Sequence, residues 1–446
     1  RRLMGDGDTI AALATPWGSG AVALIRISGP GAVAVADKVF RGRRGLAEVE
    51  AGRVTRGTIE RDGRSVDEVL VAVFRAPKSY TGEDVVEISG HGGAVVSDEV
   101  LRAVFAAGAR PAESGEFTRR AFLNGKMDLT QAEAVMDLIS ARGEAAAKAA
   151  VSQLSGRLGR EIEELRAATM TSLAHLEAFI DFPEEGIDPE SGRALLGRVE
   201  VLQSSIDRLL GTADQGRMLR EGVRLVIHGR PNAGKSSLLN LLLGYDRAMV
   251  SEIPGTTRDT IEENLTLRGI PFRVIDTAGL REATDDPLEQ EGMRRTREHL
   301  AKADVALRVI DAAEWEAMPQ HGDNEIVVLN KIDLLDGRKI PEGVVPLCCL
   351  DARGLDTLVD ALVERTRIAP PGTREEAVAI NARHQDCLRR AKESLAAARA
   401  SLERADAPEF TAVELREALA AIGEITGGSD SDDVLGEIFR NFCIGK

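Results

Sequence analysis

Cysteine is scarce in this sequence: Cys348, Cys349, Cys387 and Cys443 are the full set in 446 residues. They show neither paired CxxC spacing nor the density of a disulfide scaffold, which excludes a cross-linked fold and fits a reducing compartment. Long apolar runs are missing too, and no basic-then-apolar leader precedes the first strand pattern, so a cytoplasmic protein without a membrane role is expected. The chain opens on Arg1 rather than Met, which implies a start further upstream or an altered one. Positive charge is in deficit. A formal net charge of −15 excludes non-specific nucleic-acid binding over the whole surface, because phosphates need a local excess of Lys and Arg. Two short basic clusters remain, at 41–44 and at Arg119-Arg120, and solvated faces are the ordinary reading of both. Aromatics reach only 3%, while Ala, Arg and Glu are abundant, a balance that favours helix.

What is present is an ordinary globular composition, 43% apolar and 29% charged, in a chain longer than one core usually supports. Two to four domains are expected. From about 8 to 120, short β-branched runs (21–27, 69–74, 84–89) alternate with helical spacing over 32–40 and 95–107, which reads as a small α+β domain. Thr130 and Glu133 offer a capping box, after which helix dominates to about 220 with one break at 181–186. An apolar strand over 223–228 then leads into a doubly wound α/β pattern that runs to about 370. Helix returns from about 377 to 403 and from 411 to the end. The helical region is therefore interrupted by the α/β segment, an insertion that works because the termini of such a domain can lie close together. The expected division is 1–123, 124–220, 221–371 and 372–446.

Residues 229–236 read Gly-Arg-Pro-Asn-Ala-Gly-Lys-Ser, a GxxxxGK[ST] loop between a strand and a helix. Loop amides and the helix N-terminus suit phosphates, Lys235 brings a point charge to the β- and γ-phosphates, and Ser236 offers an oxygen to Mg²⁺. Asp276 follows the apolar run 272–275 and is placed to face the Mg²⁺ shell, with the Gly279 amide near the γ-phosphate. Asn330 and Asp333 follow another apolar run, 326–329. Asp333 can accept both donors of the guanine edge, which favours GTP over ATP. Thr257, in the loop 256–259, is the candidate for a hydroxyl that reaches Mg²⁺ only when the γ-phosphate is there. Leu280 stands where many small GTPases carry a water-orienting Gln, and an apolar side chain cannot do that work.

The set Pro231-Asn232, 254–259, 276–279, 330–333 and the terminal Phe-Cys-Ile-Gly-Lys of 442–446 closely resembles the tRNA modification GTPase family called MnmE or TrmE. The stretches 8–16, 80–84, 90–93 and 119–126 resemble its N-terminal folate-binding domain, so the likeness covers essentially the whole chain. It implies a multidomain α/β and α+β architecture: an N-terminal α+β folate-binding and dimerisation domain, a discontinuous α-helical bundle, and an inserted P-loop Ras-like GTPase domain.

The resemblance also implies residue roles. GTP contacts fall on Asn232, Ala233, Gly234, Lys235, Ser236 and Ser237 of the phosphate loop, and on Ser251, Glu252, Ile253, Pro254, Gly255, Thr256 and Thr257. Further contacts fall on Asp276, Thr277, Ala278 and Gly279, on Asn330, Lys331 and Asp333, and on Cys348 and Cys349. Mg²⁺ falls to Ser236 and Thr257. Hydrolysis in the family is activated by K⁺ and by dimerisation of the nucleotide domains, and the matching ligands are Asn232, Ser251, Ile253 and Thr256. Lys235 and Asn232 join Glu289 as the catalytic set; Glu289 aligns with a water-orienting Glu only after one inserted residue, and Glu291 is the alternative. A 5-formyl- or methylene-tetrahydrofolate site is implied at Arg26, Glu87, Lys126 and Lys446.

One departure concerns the guanine loop, where Cys348-Cys349 replace the family's Ser-Ala. Cys443 matches the family's C-terminal Cys, with a thiol role and plain packing both open. The implied activity is K⁺-stimulated GTP hydrolysis by a homodimer that works with a flavin-containing MnmG or GidA-type partner on the wobble uridine of certain tRNAs. A GTP-dependent ribosome-assembly or translation switch that binds RNA without modifying it is the competing reading. A ligand-free dimerisation module is the alternative for residues 1–120.

Overall fold

The computed structural model describes residues 7–181, 192–249, 263–275, 298–315, 322–335, 339–340, 342–368, 379–428, 432–440 and 442–446. By internal packing the chain forms two units, Arg1–Met136 with Gly423–Lys446, and Asp137–Ile422. The four-part division expected from sequence is finer than this and stays a proposal.

The first unit is built on a sheet of β1 (Ile10–Leu13), β2 (Val22–Ser28), β3 (Phe40–Gly42), β4 (Val54–Arg61), β5 (Arg64–Phe74), β6 (Val85–His91) and β7 (Arg110–Pro111), in the order β3-β4-β5-β6-β2-β1-β7. All neighbours are antiparallel except β1 and β7. Period-two alternation sends Ile25, Ile27, Val69, Val71, Val73, Val86 and Ile88 into one core, which α1 (Ala32–Val39) and α2 (Ala94–Ala106) cover. Arg26 and Glu87 lie between those inward residues and are paired across β2 and β6, so they share the other face. Helix α3 (Glu116–Leu123) follows Gly115, and the chain then enters α4 (Leu129–Ser140).

Three expectations are corrected here. The capping box at α4 uses Asp128 and Gln131: Asp128 Oδ1 accepts from the Gln131 amide at 2.9 Å, and Gln131 Oε1 accepts from the Asp128 amide at 3.0 Å. Thr130 is fully buried and gives its hydroxyl to Asp128 Oδ1 at 2.6 Å, so packing has taken the residue that the sequence offered as a cap. Arg120 is not part of a solvated basic face. It is buried and ion-paired to Asp8, Glu83 and Glu116 at 2.8, 3.1 and 2.9 Å. Arg110 joins the same network through Glu116 and Asp8. Finally, helix does not run to the end: beyond the helix Asp432–Arg440, Ile444 pairs with Ser114 as an antiparallel bridge, and the Cys443 carbonyl accepts from the Gly115 amide at 3.4 Å.

In the second unit, α5 (Glu144–Leu154), α6 (Arg157–Asp181), α7 (Gly192–Leu210) and α8 (Ala213–Glu221) precede a second sheet. Its strands are β8 (Val223–Gly229), β9 (Glu263–Leu267), β10 (Ile270–Ile275), β11 (Val305–Asp311), β12 (Glu325–Asn330) and β13 (Val344–Leu347), in the order β13-β12-β11-β8-β10-β9. Only β9 runs antiparallel. The near-continuous apolar strands are those of a sheet buried on both faces. Helices α9 (Lys235–Met249) and α10 (Leu355–Thr366) bury Leu238, Leu242, Leu358 and Leu362 in the same core as Leu225, Leu307 and Val328. Ala145 and Ala146 of α5 and Leu219 of α8 belong to that core as well. Helix α11 (Ala382–Glu403) packs along α7, and α12 (Pro408–Thr426) follows it. The start expected near 377 is in fact Ala382, where Asn381 accepts from the His384 amide at 2.8 Å.

Candidate nucleotide and ligand sites

Strand β8 ends at Gly229, whose φ of +147° and closeness to the Val309 carbonyl leave no room for a side chain. The chain turns through Asn232, itself left-handed at φ +63°, and enters α9 at Lys235. This is the strand–loop–helix setting that makes a Gly-rich sequence a phosphate cradle. Lys235 Nζ folds back over the loop, donating to the carbonyls of Gly229 at 3.1 Å and Arg230 at 2.9 Å. Burial pushes its pKa below the usual lysine value, so an approaching anion meets a partly desolvated ammonium.

The residues expected on the base side come from the end of β12, the turn that follows it and the loop after β13. Asn330 is 2% exposed and ties the two loops together: its Nδ2 donates to the Ala233 carbonyl at 2.9 Å, and its Oδ1 accepts from the Cys349 amide at 3.3 Å. Asp333 is exposed on the short turn Ile332–Leu334 and accepts from the Cys348 thiol at 3.3 Å. Lys331, left-handed at φ +63°, reaches Asp311 Oδ2 at 2.6 Å. Burial alone would raise the Asp311 carboxyl, but bonds from Lys331 and the Ala313 amide outweigh it and hold its pKa below the usual carboxylate value. Burial, with Cys348 alongside, pushes the Cys349 thiol up to about 11, so that thiol stays neutral.

In the first unit, Arg26 Nε donates to Glu87 Oε1 at 2.9 Å, and a terminal guanidinium nitrogen stands 2.8 Å from the same oxygen as an ion pair. Its guanidinium lies 5.2 Å from the Tyr80 ring centroid and 5.7 Å from that of Phe117, and it also donates to the Gly445 carbonyl at 3.4 Å. Gly445 fits there because its backbone, at φ +98°, presses on Leu13 and Ala14 where a Cβ would collide. Lys126 Nζ donates to the Pro77 carbonyl at 3.0 Å.

The model of the MnmE helical domain matches residues 129–443, and that of the GTP-binding protein TrmE N-terminus matches 9–126. A tRNA modification GTPase MnmE of Akkermansia muciniphila is 48% identical over 98% of this chain and 99% of its own. Its counterpart in Carboxydothermus hydrogenoformans is 44% identical over 98% and 99%, and that of Syntrophotalea carbinolica 45% over 99% and 100%. The chain belongs to the MnmE family of tRNA modification GTPases. Like its MnmE relatives it is a GTPase, and Asn330 joins the phosphate loop to the loop after β13.

Of the MnmE site residues expected from sequence, Asn232, Ala233, Gly234, Lys235, Ser236 and Ser237 lie on the loop and the first turn of α9, and Asn330, Lys331, Asp333, Cys348 and Cys349 lie at the end of β12, on the turn after it and on the loop after β13. Ser251, Glu252, Ile253, Pro254, Gly255, Thr256, Thr257, Asp276, Thr277, Ala278, Gly279, Leu280, Glu289 and Glu291 lie outside the described residues. Asp311 and Phe117 went unnoticed in the sequence, and Tyr80 was noted only as part of the stretch 80–84. Asp311 was detectable, since it ends an apolar strand in register with Asn330. Tyr80 and Phe117 carried no local signal of their place beneath Arg26.

Proposed function

We propose that this GTPase modifies tRNA, using GTP hydrolysis to drive addition of a carboxymethylaminomethyl or aminomethyl group to C5 of the wobble uridine, with a flavin-containing MnmG or GidA-type partner and a reduced folate as carbon source. The observation that carries the reading is that one chain holds both a guanine-nucleotide site and a half-buried Arg26–Glu87 pair. Both Arg26 nitrogens that face Glu87 meet its Oε1. Oε2 is the oxygen left for the donor edge of a pterin, which fits a carboxylate fixed in orientation by a planar cation. Arg26 is then an orienting group for Glu87, and the glutamate tail of the folate falls to Lys126 and Lys446.

At the nucleotide site, Ser236 and Thr257 would hold Mg²⁺. Asn232 would contribute a carboxamide oxygen to K⁺, together with Ser251, Ile253 and Thr256; its side chain is exposed on the phosphate loop, and oxygen donors suit such hard cations. The cation supplies positive charge beside the phosphates, which the apolar Leu280 cannot. Glu289 orients water, Lys235 draws charge from the β- and γ-phosphates, and the active form is a homodimer in the cytoplasm. The test is the modified-nucleoside profile of tRNA from a strain lacking the protein. Loss of wobble-uridine modification, restored by the gene, is expected; an unchanged profile would leave an RNA-binding switch as the better reading.

A further inference from the structure

Lys235 and Lys331 both belong to the nucleotide site, and they are held differently. Among the described residues Lys235 donates only to backbone carbonyls, so its charge stays open to phosphates. The ammonium of Lys331 is instead engaged by the carboxylate of Asp311, at 2.6 Å. We propose that Asp311 is a positioning residue for nucleotide binding: it pins that ammonium so that the carbon stem of Lys331 stands as a fixed apolar plate for the flat face of the base. The proposal rests on the reading of Lys331 as a nucleotide contact.

The carboxylate that does the pinning is itself held through both oxygens. Oδ1 accepts from the Ala313 amide at 2.9 Å, Oδ2 accepts from Lys331, and the side chain is 11% exposed. The sheet brings it there: Asp311 ends β11 in register with Asn330, the last residue of β12, and the Ala312 amide donates to the Asn330 carbonyl at 2.9 Å. Lys331 follows Asn330 in a left-handed turn, φ +63° and ψ +40°, with 37% of its side chain exposed. The turn fixes one end of this side chain and Asp311 fixes the other. The stem between them is partly open to solvent.

A ligand that must order a free lysine binds more weakly, and a lysine already pinned by the fold removes that cost. An ammonium matched by a carboxylate also adds little attraction for phosphates, so the gain falls on the base. A purine presents the same face whatever its edge carries. The gain is therefore equal for guanine and for hypoxanthine, which lacks the 2-amino group.

The experiment displaces a fluorescent GDP analogue with GDP and with IDP from the full chain and its variants. Asp311→Asn keeps an oxygen for the Ala313 amide and removes the charge that holds Lys331; Lys331→Met keeps an unbranched stem and removes the ammonium. Each should weaken GDP and IDP alike by about five- to tenfold, and the double variant by the same factor as either alone, because both changes release one pin. Losses that multiply in the double variant would mean that Asp311 acts on the loop and not through Lys331, which overturns the proposal. A loss greater for GDP than for IDP overturns it too, since the effect would then lie at the base edge, and so does unchanged affinity in Asp311→Asn. Lys331→Ala removes the stem and tests the reading beneath. If it binds GDP as the unaltered protein does, Lys331 is not a nucleotide contact and the proposal falls with that reading.

Discussion

Arg26 turns two nitrogens toward one oxygen of Glu87 and sets its guanidinium over the rings of Tyr80 and Phe117, while its remaining nitrogen donates to the Gly445 carbonyl. Lysine cannot reproduce this arrangement, since a point charge has neither the planar fork nor the face that stacks on aromatics. Arg26→Lys should therefore weaken binding of 5-formyl-tetrahydrofolate by about tenfold, as Glu87→Gln should, because each leaves a half-buried partner unmatched. Calorimetric titration of each variant checks this. An unchanged dissociation constant in both would detach the pair from folate.

The network of Asp8, Glu83, Arg110, Glu116 and Arg120 gives the first unit an acid-sensitive anchor. Burial would raise the Glu116 carboxyl, but bonds from Arg110, the Glu113 amide and Arg120 outweigh it and hold it below the usual carboxylate value. The same balance lowers Asp8. Carboxyls with depressed folded-state pKa values contribute stability that is full above their unfolded values and is lost as pH falls through the folded ones. Glu116→Gln should cost about 3 kcal/mol at neutral pH, the cost of breaking a largely buried pair. Urea midpoints for the two proteins should converge as pH drops below the ordinary carboxylate range. A constant gap across that range would contradict the ionic account.

Sequence pattern reached the parts of this molecule that local chemistry decides. Alternation over 69–74 and 84–89 marked strands, and the loop 229–236 marked a phosphate site without help from distant residues. What it could not reach is fixed by partners far along the chain. Arg120 looked like a surface charge because its acids, Asp8 and Glu83, are 112 and 37 positions away. At the start of α4, Asp128, Thr130, Gln131 and Glu133 all had capping chemistry within six residues. Burial of Thr130 chose among them, and burial is a tertiary fact. Arg26 and Glu87 were singled out through their motifs, but only the sheet register showed that they bond to each other rather than separately to a ligand.

Gly234 holds the contact between phosphate loop and base loop. Its φ is +97°, and a Cβ there would strike Asn330 Nδ2, the atom that donates to Ala233. Gly234→Ala should weaken GDP by roughly a hundredfold, about 3 kcal/mol of strain and lost bonding. Gly244, exposed on the same helix with open space around it, is the control. Gly244→Ala should bind GDP normally and favour the helix by about 1 kcal/mol. Comparable affinity in the two variants would show that the Asn330 link is dispensable.

Asn232 carries the cation reading, and its backbone complicates the obvious test. At φ +63° an Asn is tolerated, whereas Ala there costs about 1 kcal/mol of strain, so Asn232→Ala can slow GTP turnover merely by disturbing the loop. The ratio of rates in K⁺ and Na⁺ separates the two effects, because loop strain acts equally in both salts. Asn232→Gly separates them again, since Gly adopts this φ freely but has no carboxamide. The unaltered protein should turn over GTP several times faster in K⁺, and both variants should bring the ratio to about one. If Asn232→Gly keeps the K⁺ preference, the carboxamide is not a ligand. Equal rates in the two salts for the unaltered protein would remove the cation mechanism, and transition-state charge would have to be met by the ammonium of Lys235 and the amides of the phosphate loop.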